Sequence, residues 1–168
     1  MFLLYDYSFL PTGARTKTQG IALAEKRFGK PTDESLLSCE PYTSVGHWCH
    51  ARVGATARRL AAVPSAMPLV LINHFPLLRH PTRRLRVAEL AMWCGTELTR
   101  DWHLSHHVLC VVYGHLHIRR RDRYDGVRFE EVSIGYAREW PYRKPPKSPL
   151  RQILPDPLEP AHSHAATS

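Results

Sequence analysis

No apolar run in this 168-residue chain approaches the ~20 consecutive residues that a membrane-spanning helix needs. That excludes a helical span and predicts no membrane partner. Cys-x-x-Cys pairs are absent as well. Cys39, Cys49, Cys94 and Cys110 stand far apart, with no basic secretory leader before them, which predicts a reducing, cytoplasmic setting. Acid is in short supply. Fifteen Asp and Glu face 23 Lys and Arg, for a net charge of +8 with 11 His in reserve. Such a balance favours phosphate-bearing partners, whether phosphoesters or nucleic acid. Most of the basic residues are arginine, whose planar fork suits bidentate phosphate contact.

What is present is a globular composition, 43% hydrophobic with four Trp, and enough length for one domain with a real core. The most telling stretch is Tyr113-Gly114-His115-Leu116-His117-Ile118. It follows Val108-Leu109-Cys110-Val111-Val112, a short β-branched run that reads as a buried strand. In an extended segment residues two apart share a side, so His115 and His117 are expected to converge. Imidazole is the commonest protein metal ligand. Upstream, Val70-Leu71-Ile72-Asn73-His74-Phe75-Pro76 is a second strand pattern that delivers a histidine at its C-terminal end. Two such strands in one sheet would bring His74, His115 and His117 to one edge.

These two motifs resemble the C-terminal half of the calcineurin-like metallophosphoesterases, which carry a strand-end histidine and later a Gly-His-x-His. The lone histidine matches His74, with Pro76 after it; the later motif matches Gly114, His115 and His117. The resemblance covers roughly Met1 to Trp140. It implies that His74 and His115 hold one divalent ion and His117 a second, the metals being Mn, Fe, Zn or Ni. It also implies a metal-dependent phosphoester hydrolase acting on a phosphoester substrate, with nucleic acid a possible one. The implied fold class is α/β: the C-terminal half of a metallophosphoesterase sandwich, closed by a hairpin and a disordered tail.

The chain departs from the family in its first half. The Asp-x-His, Gly-Asp-x-x-Asp and Gly-Asn-His-[Asp/Glu] motifs that supply the bridging carboxylate and the proton donor do not occur. Asp101-Trp102-His103 has one of these spacings but lies in a helix-like stretch, and Asn73-His74 lacks the flanking Gly and acid. The catalytic acid is therefore unassigned. Met1-Phe2-Leu3-Leu4-Tyr5-Asp6-Tyr7 reads as a strand opening at the first residue, and the expectation is a truncated gene or a start assigned too far downstream. Two alternatives remain: a noncatalytic basic nucleic-acid-binding module, and a structural protein holding one ion through histidines. Sequence leaves the substrate and the oligomeric state open.

Thr18–Phe28 predicts a helix ended by Gly29, residues 30–41 a loop, which the family resemblance would place near the active-site face, and Thr43 or Ser44 the cap of an amphipathic helix to Val63. Its apolar positions are Val45, Trp48, Cys49, Val53, Leu60 and Val63. Pro64 and Pro68 end it and lead into the His74 strand. Residues 81–93 and 99–107 predict two short helices around Gly95, so the two histidine strands should be parallel. Asp125-Gly126 predicts a hairpin turn. Half of the 14 prolines follow Trp140, so the expected division is a domain over 1–140 and a Pro-rich disordered tail over 141–168.

Other candidates are weaker. His47-Trp48-Cys49-His50 invites a zinc reading, but no second cluster has finger-like spacing, and a helix surface accounts for it. His162 and His164 fall in the tail and read as solvated. Asn73 reads as satisfying local backbone groups. Arg79, Arg83, Arg84 and Arg86 follow one motif; Arg119, Arg120, Arg121 and Arg123 follow the other. They form either a cationic rim for phosphate esters or ordinary solvent-facing positions. Ser133–Trp140 resembles the domain end of bacterial family members and is assigned no chemistry.

Overall fold

The computed structural model describes residues 3–140 and 148–156. It divides into two units, residues 1–133 and 134–168. The first unit carries every predicted site residue outside the tail. In the second, Ala137–Glu139 form one 3-10 turn, and Trp140 Nε1 donates to the Ile134 carbonyl at 3.0 Å. Residues 148–156 form no helix or strand. The disordered-tail expectation otherwise falls outside the described residues, as do His162 and His164.

Helix α1 spans Lys17–Phe28. The Thr16 hydroxyl takes the Gln19 N–H at 3.2 Å, and Gly29, with φ +85°, returns its N–H to Glu25. A short α2 covers Asp33–Leu36 inside the predicted loop. Helix α3 spans Val45–Ala61, capped by the Ser44 hydroxyl on the His47 N–H at 3.1 Å. Its buried residues Cys49, Val53, Thr56 and Leu60 recur every three or four positions, as the periodicity required.

The sheet has four strands: β1 (Leu69–Ile72), β2 (Val108–Tyr113), β3 (Arg120–Tyr124) and β4 (Val127–Glu131), in the order β1-β2-β4-β3. β1 and β2 are parallel, as are β2 and β4, while β3 and β4 form the expected hairpin. Asp125 and Gly126 both have positive φ, the two-residue turn that matches strand twist. The fold class is therefore α/β. Among the described residues this is the one sheet, so the second layer of a sandwich is not among them.

Two expectations need correction. The opening segment is buried, with Leu3, Leu4, Tyr5 and Phe9 in the core, but its described part joins no strand ladder. A side chain takes the place of a strand edge: Asn73 Oδ1 accepts the Leu3 N–H at 3.0 Å. The two helices expected over 81–93 and 99–107 are instead 3-10 turns at His80–Arg84, Ala88–Trp93 and Glu97–Thr99, with a four-residue α4 at Trp102–Ser105. Gly95 explains the break. Its φ is +139°, and a Cβ there would lie 2.9 Å from the Pro76 carbonyl oxygen. No described helix is long and apolar enough to cross a membrane.

Candidate active site

After a register shift between Leu69 and Val70, β1 and β2 pair regularly, Ile72 beside Val112, so their C-terminal ends reach the same edge of the sheet. In α/β sheets that edge is where ligands bind. The pairing continues past the strands. Asn73 N–H donates to the Val112 carbonyl and Gly114 N–H to the His74 carbonyl, both at 3.0 Å. Space at Gly114 is tight, since a Cβ would stand 3.1 Å from Ser133 Oγ and that hydroxyl would have to give way. Asn73 is buried and holds the exit of β1 twice over, taking the Leu3 N–H and giving its own amide N–H to the Phe75 carbonyl at 2.8 Å. It thus anchors a distant segment as well as its own backbone.

His74 and His115 meet at this edge. His115 Nδ1 lies 3.2 Å from His74 Nε2, and the ring centroids are 5.0 Å apart. Phe75 packs against both rings, at 4.9 and 4.5 Å. Burial, together with the neighbouring imidazole of His74, pushes the His115 pKa down to about 4. Burial, and then the neighbouring imidazole of His117, lower that of His74. Both rings are therefore neutral at physiological pH, the state in which an imidazole nitrogen is a ligand.

His117 arrives by another route than the sequence suggested. β2 ends at Tyr113, and the residues after it turn rather than alternate. His115 and His117 have φ of +71° and +54°, the left-handed region that costs a side-chain-bearing residue roughly 1–2 kcal/mol. Leu116, buried between them, pins the turn to the core. His115 and His117 thus share a strained turn, not one face of a strand. Among the described residues no three His, Cys, Asp or Glu side chains form a group able to hold one ion.

The structure adds residues that the sequence reading left unassigned. The Trp93 carbonyl accepts a hydrogen bond from His115, and the Asp33 carboxylate acts on that ring electrostatically. Asp33 accepts the Tyr5 hydroxyl at 2.8 Å. Glu34 accepts the Tyr7 hydroxyl at 2.8 Å and the Trp93 indole N–H at 2.9 Å. Tyr5 stacks edge-on against Phe75. Helix α2 therefore brings two carboxylates to the neighbourhood of the histidines. The available signal was Pro31-Thr32-Asp33-Glu34, acids at a helix start within a loop expected on this face. At the other side, buried Glu131 closes β4 opposite Tyr113 and is coupled to His117.

The remaining candidates lie elsewhere. His103 is buried at the opposite end of the sheet, 2.8 Å from Asp125 in the hairpin turn and packed on Phe129. It is a structural histidine. His47 meets the Thr43 hydroxyl, His50 meets Asp6 at 3.1 Å, and Cys49 is buried, so these residues do not converge. Burial works against ionisation of Asp6, but hydrogen bonds from Ser8 and Thr96 prevail and lower its pKa. The arginines are partly tied down. Arg84 reaches Asp122 at 3.6 Å, Arg120 also pairs with Asp122, and Arg121 lies 2.6 Å from Glu130. Arg79 donates to the Leu10 carbonyl.

The chain is thus α/β, with two neutral imidazoles facing each other at the C-terminal edge of a parallel strand pair. The acyl-carrier-protein phosphodiesterase PptH of Mycobacterium tuberculosis is 59% identical over 157 residues, 94% of this chain and 48% of that protein. The crystal structure of Phosphopantetheinyl Hydrolase (PptH) from Mycobacterium tuberculosis superposes with a TM-score of 0.90 at 57% identity, covering 95% of this chain and 56% of that one. The two share this fold. The chain spans about half the length of the relative it matches. No family model matches it.

Proposed function

We propose that this chain forms the histidine-bearing half of a metal-dependent phosphoester hydrolase of the calcineurin-like type, with a phosphopantetheinyl ester on a carrier protein as its substrate. The observation that carries the reading is the His74–His115 pair. Two ring nitrogens bound to one ion at about 2.0–2.1 Å and a near-tetrahedral angle lie roughly 3.3–3.4 Å apart; here the separation is 3.2 Å. The donor set therefore fits two coordination positions of one divalent ion, Mn, Fe, Zn or Ni. His117, on the same turn, is the candidate for a second ion. When bound, such ions polarise phosphoryl oxygens and acidify a water molecule.

The chain's own residues prepare the site. Burial keeps both facing rings unprotonated, Phe75 fixes their planes, and the Gly114–His74 backbone bond sets the spacing between them. The substrate class rests on what the Mycobacterium tuberculosis relative is named for. A reducing cytosol belongs to the same proposal and is supported by four free thiols, three of them buried. The test is mass spectrometry of a phosphopantetheine-bearing carrier protein incubated with the purified protein and Mn or Zn, alone and as a chimera completed with the part of the Mycobacterium tuberculosis relative that this chain does not span. Loss of the phosphopantetheinyl mass, abolished by a chelator and by His74→Ala, is the expected result. No loss in either form would sink the reading, and nucleic-acid binding without hydrolysis would move it to the basic-module alternative.

A further inference from the structure

Glu131 is a buried carboxylate at the site end of the sheet, 1% exposed, and nothing in the proposed chemistry uses it. As the last residue of β4 it pairs with Tyr113, the last residue of β2, and with Arg120, the first of β3. The ladder continues beyond it through the Val132 N–H to the Tyr113 carbonyl at 2.8 Å. Its side chain therefore lies where the chain leaves β2 for the histidine turn and returns through β3. Glu131 Oε2 accepts the Ser133 N–H at 3.2 Å, and the Ser133 hydroxyl is the group that a Cβ on Gly114 would meet at the entrance to that turn. At the exit, the Ile118 N–H and the His117 ring both act on the same carboxylate. One side chain thus reaches both ends of a turn whose two histidines are held in left-handed backbone.

We propose that Glu131 is a positioning residue for His117, holding the exit of the strained turn so that the imidazole keeps one orientation toward the site. A carboxylate that orients a histidine ligand changes metal affinity by roughly 10–100-fold when it is replaced. This inference rests on the metal-site reading. Its test is arranged so that the two can fail separately.

Mn or Zn binding alone is measured by calorimetry on the wild-type chain, Glu131→Gln, His117→Ala and the double variant. Glu131→Gln keeps the size of the side chain, and thermal unfolding checks that each variant is folded. If Glu131 acts through His117, the substitution weakens binding 10–100-fold in the wild-type background and has no effect once His117 is gone. Equal loss in both backgrounds would mean a general packing role and would overturn the proposal. A second readout needs no metal. Amide exchange of Ile118 should quicken in Glu131→Gln relative to that of Val111 in the core of β2. Unchanged exchange at Ile118 overturns the positioning role whatever the metal data say. A wild-type chain that binds no metal, yet shows the Ile118 effect, would sink the metal reading and leave Glu131 as the clasp of the turn.

Discussion

The Gly114 N–H donates to the His74 carbonyl oxygen at 3.0 Å, so the two histidine segments are joined backbone to backbone before their side chains meet. The 3.2 Å approach of the imidazoles follows from that join, because each ring extends only a few bonds from a fixed main chain. Sheet register, more than side-chain choice, sets the distance between the two nitrogens.

Divalent metal should stabilise the folded chain. At a hundredfold excess over the dissociation constant the gain is about 2.7 kcal/mol, visible as a raised unfolding midpoint. His74→Ala and His115→Ala should each remove most of it. His103→Ala, at the other end of the sheet, should cost about 2 kcal/mol of stability by emptying a buried site but leave the metal response intact. A lost response in the His103 variant would show that the site extends farther than the geometry places it.

Gly95→Ala and Gly114→Ala should differ in severity. At Gly95 the new methyl meets a backbone carbonyl at 2.9 Å and the φ is +139°, so roughly 2–3 kcal/mol is expected from urea denaturation. At Gly114 the obstacle is the Ser133 hydroxyl at 3.1 Å, which can rotate, and about 1 kcal/mol or less is expected. The reverse order would contradict the packing described at both sites.

Acid should weaken the metal-free protein through His115. Its pKa is depressed to about 4 in the folded state, against about 6.5 when unfolded, so the unfolded chain binds the proton first. This stability is fully present above pH 6.5 and is lost as pH falls toward 4. The effect is on the order of 3 kcal/mol. Urea midpoints in chelator should fall over that range, and His115→Gln should flatten the slope. An equally steep slope in the variant would locate the titrating group elsewhere.

Glu34→Ala should leave the Tyr7 hydroxyl and the Trp93 indole without their shared acceptor. The expected cost is ~1–3 kcal/mol, with faster exchange of the indole N–H by NMR. If that proton stays as protected as in the wild type, α2 is not fastened to the site by Glu34.

The strands and their histidines were legible because β-branched runs ending in Gly-His or Asn-His carry a period and a stop within a few residues. The α3 cap at Ser44 and the Asp125-Gly126 turn were equally local. What escaped was non-local. The pairing of Tyr5 with Asp33, of Trp93 with Glu34, and of Glu131 with the turn after β2 joins residues with no shared periodicity. The left-handed backbone at His115 and His117 was hidden for a different reason: strand alternation was extended past Tyr113, where the ladder stops. Asn73 illustrates the same limit, since its amide serves a residue 70 positions away.

The order β1-β2-β4-β3 has a kinetic consequence. Only the β3–β4 pairing is local among the described strands, and a hairpin of this kind forms in about 1–10 μs. Joining β1 to β2 must instead close the long loop between Leu69 and Val108, and loop closure slows the formation of distant contacts. The turn bearing His115 and His117 is thus moored to an early hairpin, while His74 waits for a late crossover. Pulse-labelled refolding should find the β4 amides protected before that of Gly114. The opposite order would mean that the crossover nucleates the sheet. On this account the two imidazoles come together last, so any partly folded form of the chain lacks its metal-binding pair even when half of its sheet is native.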